Sequence, residues 1–565
     1  MIEGSTNMGE RKHILTIVLE DYFQVGAFRN LIPTDHWERF ETRLKSNLYT
    51  TLELLAETNN TATFFACGWI ADNHPDLLID IIGAGHEVAC QGYFHYDINE
   101  VSENVFAQDL RRSRYAMEDA LGTAIYGFRL GRGWIGEKEL WILDQLIEQG
   151  FSYDSSICRL GREFSNQPSR TVIHQHSGIK GSLFEIPISS QQLLYWSLPI
   201  SGGNYFRQLP HGLLKWGVER WLLEHEEPLV LYFHTWELDT GQPIIAAANI
   251  LQRLRHYRNL DSMSDKIKYY LTTHQFSSVA EYLELDIMQQ PAPQLTRRIE
   301  SVSVQEHLGR LTASQPLTLL IPCYNEEATL PYLKKTLDRF AIKSKSVFNL
   351  QYIFIDDGSR DNTWVELNQL FSEQENCKFL RHENNQGIAA AILTGIQHTT
   401  TDLLSVLDAD CTFSPDQLLD MIELLREDVD VVVASPAHER GAMRNVPLWR
   451  TVLSRGSALM YRCVLRHKLT SYTSCFRLYR LKTVQDMKLY NHGFCGVTEI
   501  LGRLDIAGYR IKEYPAILEV RLLGESKINL IKTTGDHLKL IFHLAAKRWF
   551  RKPMPEDPRI DPSHI

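Results

Sequence analysis

Three apolar runs in the second half of the chain each end in acids: LTLLIPCYNEE (317–327), IFIDDGS (353–359) and SVLDADC (405–411). An apolar run of this length bounded by turn residues reads as a buried strand. In an open α/β sheet, ligands sit beyond the carboxyl ends of the strands. Glu326, Asp357, Asp408 and Asp410 are therefore predicted to face one crevice. Convergent carboxylates suit a divalent cation, Mg²⁺ or Mn²⁺, and the diphosphate of a nucleotide. Asp408 and Asp410 are two residues apart at a strand end and point the same way. Asp410 is predicted to be the main metal ligand, on which the chemistry depends, with Asp408 as its partner. Asp357 and Glu326 would hold the base and ribose, in a pocket shaped by Pro322 and Tyr324. Asp356 suits a turn that caps the next helix.

The elements that must position these groups belong to a long chain. Its 565 residues are too many for one ordinary domain and point to about two to four. The 44% hydrophobic and 23% charged content are those of a globular protein. A net charge of −10 with no basic domain argues against general nucleic-acid binding. Nine cysteines are dispersed without a CxxC pair, which suggests reduced thiols and a cytoplasmic setting. Neither an apolar signal core nor a run of 18 apolar residues occurs. Classical secretion and a membrane span are therefore not expected, while a peripheral place at the inner face of a membrane stays open.

From Ile14 to Leu285, strand-like runs (ILTIVLEDYF, ATFFACGWI, HEVACQGYF, LFEIPIS, PLVLYFHTWE) alternate with helical patterns at 45–58, 74–84, 104–121, 138–149 and 262–273. This predicts an α/β domain over 1–286. Residues 287–315 mix Pro, Gln, Ser and charge and read as a linker. A second α/β domain is expected over 316–527, followed by a basic amphipathic tail, 528–565. In the tail, Leu538, Ile541, Ala545 and Trp549 share a helical face, and Lys539, Lys547, Arg548, Arg551 and Lys552 supply charge. Such a helix can lie in an anionic membrane surface or pack on its own domain. Both readings stay open.

IPCYNEE, FIDDGS and LDAD, in this order and spacing, resemble the inverting family-two glycosyltransferases, over residues 316–527. The resemblance implies a Rossmann-like, glycosyltransferase A-type fold and a nucleotide-sugar donor. PLWRTVLSRGSALMYR (447–462), YTSCFRLYR (472–480) and RLLGESK (521–527) resemble the polyprenyl-phosphate branch, the dolichol-phosphate mannose synthase group. There the nucleophile is a lipid phosphate. Arg450, Arg477, Arg521 and Lys527 are candidate phosphate contacts, since a guanidinium fork matches phosphate oxygens. Arg521 and Lys527 can instead grip the donor diphosphate. Glu499 sits where the family keeps an acid on the acceptor side. Two departures touch that side: Cys475 replaces a family Gly, and the Gly-rich loop is shortened to AHERGAMRNV (437–446).

ILTIVLEDYFQV (14–25), the stretch 62–95 ending QGYFH, YGFRLGRGWI (126–135), GFSYDSSI (150–157) and LYFHTWELD (231–239) resemble the NodB-type polysaccharide deacetylases, in the subgroup found with exopolysaccharide loci. The implied fold is a distorted (β/α) barrel, usually of seven strands. The implied chemistry uses a metal-bound water, Zn²⁺ or another divalent ion, with Glu20 as base, Asp21 as ligand and His234 as acid. The family pair of histidine ligands reads Gln91 and His95 here, and an amide oxygen is a poorer zinc donor than imidazole. Arg129-Leu130-Gly131 replaces Arg-Ala-Pro, leaving Arg129 to orient the base. Three readings follow: a weakly metallated hydrolase, a silent domain that binds sugar or scaffolds, or metal-independent amide hydrolysis.

Together these readings describe a two-domain enzyme of glycan or glycolipid assembly. It would transfer a sugar from a nucleotide-sugar to polyprenyl phosphate or a saccharide, beside a domain acting on or binding an N-acetylated sugar. The alternative is a transferase with a silent deacetylase-like scaffold or carbohydrate-binding domain.

Overall fold

The computed structural model describes residues 11–96, 98, 101–158, 164, 166–193, 196–285, 314–524 and 530–550. Linker residues 287–313, Lys527, Arg551 and Lys552 lie outside them. The chain divides into two compact units, each built on its own main sheet.

The first unit carries β1 (His13–Leu19), β2 (Thr63–Ala66), β3 (Glu87–Cys90), β4 (Gly127–Phe128), β5 (Tyr153–Asp154), β6 (His174–Gly178), β7 (Gly181–Glu185), β8 (Ser190–Leu193), β9 (Trp196–Pro199), β10 (Val230–His234) and β11 (Phe276–Ser277). The main sheet runs β10-β1-β2-β3-β4-β5-β7-β6, with β11 also on β1. From β10 to β7 every pairing is parallel, and β6 is antiparallel. β8 and β9 form a separate hairpin. Parallel strands covered by crossover helices are buried on both faces, and β1, HILTIVL, is buried throughout. The sheet curls into half a barrel. The helices Leu44–Thr58, Pro75–Gly83, Glu103–Leu121, Trp141–Glu148 and Met263–Thr273 fall on the five predicted segments. Glu20, Asp21, Gln91, Arg129 and His234 all stand at carboxyl ends of parallel strands, the face where such barrels place their sites.

The second unit carries β12 (Gln315–Cys323), β13 (Phe348–Asp356), β14 (Cys377–Arg381), β15 (Leu403–Val406), β16 (Val431–Ser435), β17 (Ala442–Arg444), β18 (Arg477–Arg480), β19 (Ile511–Pro515) and β20 (Ile517–Glu519). Its main sheet runs β14-β13-β12-β15-β18-β16-β19. The chain steps outward from β12 through β13 to β14, then returns to β15 on the other side of β12, all four parallel. The order thus reverses between β12 and β15, and a doubly wound sheet opens its ligand crevice at such a switch. β18 is antiparallel to both β15 and β16; β17 and β20 pair separately.

The tail helix, Leu530–Phe550, lays His537, Leu540 and Leu544 against this unit's core. Gly502 permits the approach: a Cβ there would stand 2.8 Å from Leu544 Cδ1. The predicted apolar face of the tail is corrected by this packing. Ile541 and Ala545 join the core, whereas Leu538 and Trp549 are exposed, together with Phe542 and Phe550. Among the described residues the helix is apolar on two sides, one packed on the core and one exposed. Among the described residues no helix is long and apolar enough to cross a membrane.

Candidate functional site

In the second unit, the turn after β12 is tied to the turn after β13. Asn325 adopts a left-handed backbone (φ 52°), which Asn tolerates better than most residues. Its N–H donates to Ser359 Oγ (2.9 Å), its Oδ1 accepts from Arg360 N (2.7 Å), and Glu326 N donates to Thr363 Oγ1 (2.7 Å). Pro322 and Tyr324, at the end of β12, are half-buried beside this turn. The Glu326 carboxylate accepts from Thr329 Oγ1 (2.9 Å) and from Arg521 Nη2 (2.8 Å). Across the switch point, Asp410 accepts from Thr412 N (3.1 Å) and from Arg521 Nε (2.6 Å). One guanidinium therefore joins the acids that close β12 and β15.

Asp408 completes this acidic corner. Burial and the neighbouring Asp410 push its carboxyl up to about 7, against the pull of Arg521 and a hydrogen bond from the Cys475 thiol. The residue that replaces the family Gly is thus a buried partner of Asp408. Among the described residues no three His, Cys, Asp or Glu side chains gather closely enough to hold an ion; here the acids gather around Arg521. The donor set nevertheless fits a hard cation, since it consists of carboxylate oxygens that already face a positive charge.

Asp357 turns away from this corner. Its oxygens accept from His382 Nδ1 (2.7 Å), Asn385 Nδ2 (2.9 Å), Gln386 N (2.9 Å) and Gly387 N (2.8 Å). These bonds shape the 382–387 loop, and none of them is to Arg521. His382 and Asn385 went unpredicted, although the polar run HENNQG just past a strand is the signal that marks them. Asp356 accepts from Ser359 N (3.0 Å) in a turn, but it does not cap the next helix, Thr363–Phe371, whose N-cap is Asn362.

Two acceptor-side expectations are also corrected. Arg477 is fully buried, and its guanidinium donates to Tyr472 O (2.8 Å), Val497 O (2.7 Å) and Tyr479 Oη (3.2 Å). Glu499 is fully buried too, and accepts from Tyr490 N, Asn491 N, Asn491 Nδ2 and Arg503 Nε at 2.7–2.9 Å. Both hold backbone in place, because the chain folds over them. Arg450 is exposed at the start of the Leu448–Val464 helix, over the Trp449 ring at 5.2 Å. The loops meet where Gly387 (φ 103°) abuts His492: a Cβ there would lie 2.6 Å from His492 O.

In the first unit, Glu20 is the centre of the mouth. His234 Nδ1 lies 2.6 Å from its Oε1, Trp236 Nε1 donates to the same oxygen at 2.8 Å, and His95 Nδ1 is 3.6 Å from Oε2. Burial opposes ionisation of Glu20, but the charge on His234 holds its carboxyl down to about 2, and Glu20 in turn raises His234 above its ordinary value. Burial lowers His95 to about 4. Asp21 does not join them. Its Oδ1 accepts from Tyr22 N (2.9 Å), and its Oδ2 from Thr42 Oγ1 and Arg43 N (both 2.8 Å). Arg129 is corrected as well: it donates to Ser155 O (2.9 Å) and Ser155 Oγ (2.7 Å) and lies over the Phe65 ring. Trp236 orients Glu20 in its place. Gln91 Oε1 and His95 Nε2 are buried without hydrogen-bond partners. Cys90 faces away, toward Ser113. With Asp21 engaged by Thr42 and by backbone, and an amide at Gln91, these residues do not fit the zinc that the motifs imply.

Residues 318–487 match the family model for glycosyl transferase family 2, residues 39–147 that for polysaccharide deacetylase, and residues 155–284 a domain of unknown function, DUF3473. The chain is 27% identical over 230 residues to a dolichol-phosphate mannosyltransferase of Pyrococcus furiosus, covering 40% of this chain and 63% of that protein. It is 30% identical over 216 residues to an undecaprenyl-phosphate mannosyltransferase of Micrococcus luteus, covering 37% of this chain and 86% of that protein. Among solved structures, a polysaccharide deacetylase from Mycobacterium smegmatis aligns at 17% identity with a TM-score of 0.34, over 51% of this chain and 96% of that one. A mannosyltransferase from Pyrobaculum calidifontis aligns at 17% identity with a TM-score of 0.31, over 44% and 67%.

Proposed function

We propose, for a chain that belongs to glycosyl transferase family 2 and carries a polysaccharide deacetylase domain ahead of that module, that the second unit moves a hexose from a nucleotide-sugar to polyprenyl phosphate, with inversion. The observation that carries this reading is the pair of acidic strand ends, Glu326 after β12 and Asp408/Asp410 after β15, turned toward one positive group at the switch point. A divalent cation, Mg²⁺ or Mn²⁺, would neutralise the charge that builds on the departing diphosphate. Asp410 and Asp408 would hold it. Pro322, Tyr324 and Glu326 would line the base and ribose side, and Asp357 would act there through the loop it shapes. Arg521, with Lys527, would hold the diphosphate, and Arg450 would meet the acceptor phosphate. A phosphate monoester is ionised near neutral pH and needs little help from a base. The acceptors in the two relatives' names favour polyprenyl phosphate over a saccharide.

The acceptor side is read as a membrane surface. The Leu448–Val464 and Leu530–Phe550 helices pack on one another and leave Trp449, Val452, Leu453, Leu459, Phe542 and Trp549 exposed. The first unit is read as a domain that binds an N-acetylated sugar, because Asp21 is engaged elsewhere and Gln91 is a weak ligand. The transferase reading is tested by donor turnover with Mn²⁺ and polyprenyl phosphate. Asp410→Ala is expected to lose on the order of a hundredfold or more; equal turnover in both proteins removes the assignment.

A further inference from the structure

Arg521 stands two residues after β20, and its guanidinium lies between the acids of two different strands. Nε donates to Asp410 Oδ2 at 2.6 Å and Nη2 to Glu326 Oε1 at 2.8 Å. Both are charge-assisted bonds, about twice as strong as neutral ones, and the side chain is only 20% exposed. The segment is led past the site by Gly524, whose backbone is left-handed (φ 70°). A Cβ there would lie 3.3 Å from Thr329 Cγ2 and 3.6 Å from Arg521 Nη1. Arg521 thus occupies one oxygen that a divalent cation would need, on Asp410, and one that the ribose would need, on Glu326. Asp410 keeps one oxygen on Thr412 N, and Glu326 keeps the other on Thr329 Oγ1, so neither acid has an idle carboxylate oxygen to offer.

We propose that Arg521 is the site's own counter-ion before donor binding, and that the arriving donor, with its cation at Asp410 and its ribose at Glu326, displaces the guanidinium onto the diphosphate. This inference rests on the transferase reading. It makes cation and diphosphate binding mutually dependent. A cation alone must compete with a guanidinium already bonded to both acids. A cation arriving with a diphosphate gives that guanidinium new oxygens, which its planar fork matches. The arrangement offsets part of the negative charge of the crowded acids in the resting protein and favours the loaded donor over free metal.

The test measures Mn²⁺ binding to the full chain by the electron paramagnetic resonance signal of free Mn²⁺, with and without inorganic pyrophosphate. Wild type is expected to bind Mn²⁺ weakly alone and more tightly with pyrophosphate. Arg521→Gln is expected to bind Mn²⁺ alone on the order of tenfold more tightly than wild type, and to gain less from pyrophosphate. Arg521→Lys, which keeps the charge but loses the fork, should fall between them. If Arg521→Gln binds Mn²⁺ no more tightly than wild type while Asp410→Asn abolishes binding, the counter-ion role is overturned and the transferase reading stands. If no protein binds Mn²⁺ even with pyrophosphate, the cation-dependent reading itself fails and takes this inference with it.

Discussion

Asp21 decides what the first unit can do with a metal. Its Oδ2 is filled by Thr42 Oγ1 and Arg43 N, which an ion there would have to displace, and Oδ1, held by Tyr22 N, keeps a single lone-pair site. A buried carboxylate that loses such donors pays their full desolvation cost. Gln91 adds only an amide oxygen, and His95 turns Nδ1 toward Glu20. We therefore expect the full chain, incubated with zinc and desalted, to retain well below one zinc per chain by elemental analysis. Gln91→His should raise that content, since imidazole is the better donor. A stoichiometric zinc in wild type that disappears in His95→Ala would show that the metal site is intact. The same residues show what a sequence can and cannot say. Gln91 and Gly131 are legible as departures, but the reason for Gly131 is spatial: a Cβ there would stand 2.6 Å from His95 Cδ2. Arg477 and Glu499 are legible as charges near an acceptor motif. Their partners, Val497 O in the Phe494–Ala507 helix and Tyr490 N in the loop before it, are brought to them by tertiary folding that no local pattern encodes.

At the scale of elements, β1 carries a titratable group in its buried run. His13 Nδ1 accepts from Leu229 N at 3.1 Å, which requires the neutral ring. Burial, with His274 and Arg11 nearby, lowers its pKa from 6.5 to about 4. Above pH 6.5 the ring is neutral in both folded and unfolded chains and contributes no pH dependence. Between 6.5 and 4 the unfolded chain takes up a proton that the folded chain refuses, so stability is lost as pH falls. The loss reaches roughly 3 kcal/mol at the bottom of the window. His13→Asn keeps an acceptor and removes the titration. The urea midpoint of the first unit's transition should fall more steeply from pH 7 to 4.5 in wild type than in this variant. Parallel curves would show that His13 does not set the slope. Element positions were largely legible, because helical periodicity of apolar residues survives in a single sequence. Ends were less so. ILTIVLEDYF reads as a strand through Phe23, yet β1 stops at Leu19. There Asp21 N donates to Gln24 Oε1 (2.8 Å) and Gln24 N to Asp21 O (3.0 Å), a turn whose pull outweighs the apolar run. At the ends of β12 and β15, Glu326 and Asp410 share the Arg521 guanidinium, whereas the Asp357 oxygens after β13 take four donors from the 382–387 loop.

At the scale of the whole molecule, a net charge of −10 repels an anionic bilayer, so any attachment must come from a local surface that outbids the average. The Leu448–Val464 helix has Arg450, Arg455 and Arg462 and no acid; the Leu530–Phe550 helix has Lys532, Lys539, Lys547 and Arg548 against Asp536 alone. Both expose large apolar side chains, with Val452 68%, Leu459 65%, Phe542 72% and Trp549 58% accessible. Basic charge beside exposed aliphatic and aromatic groups is the composition of a helix that lies in a lipid interface. The buried side of the tail helix, Leu540 and Leu544, is separate from this, so the outer side can be altered without undocking it. We expect the full chain to co-sediment with phosphatidylglycerol-containing vesicles and far less with phosphatidylcholine vesicles. Binding should fall as salt shortens the screening length from about 10 Å at 0.1 M to about 3 Å at 1 M. Phe542→Glu with Trp549→Glu should weaken it severalfold and leave the thermal transition unchanged. A second copy of the chain could cover the same residues instead. In that case vesicles would leave the protein in solution, and the double variant would lower its mass in sedimentation equilibrium. Salt-independent binding that survives the double variant would place the lipid contact elsewhere on the molecule.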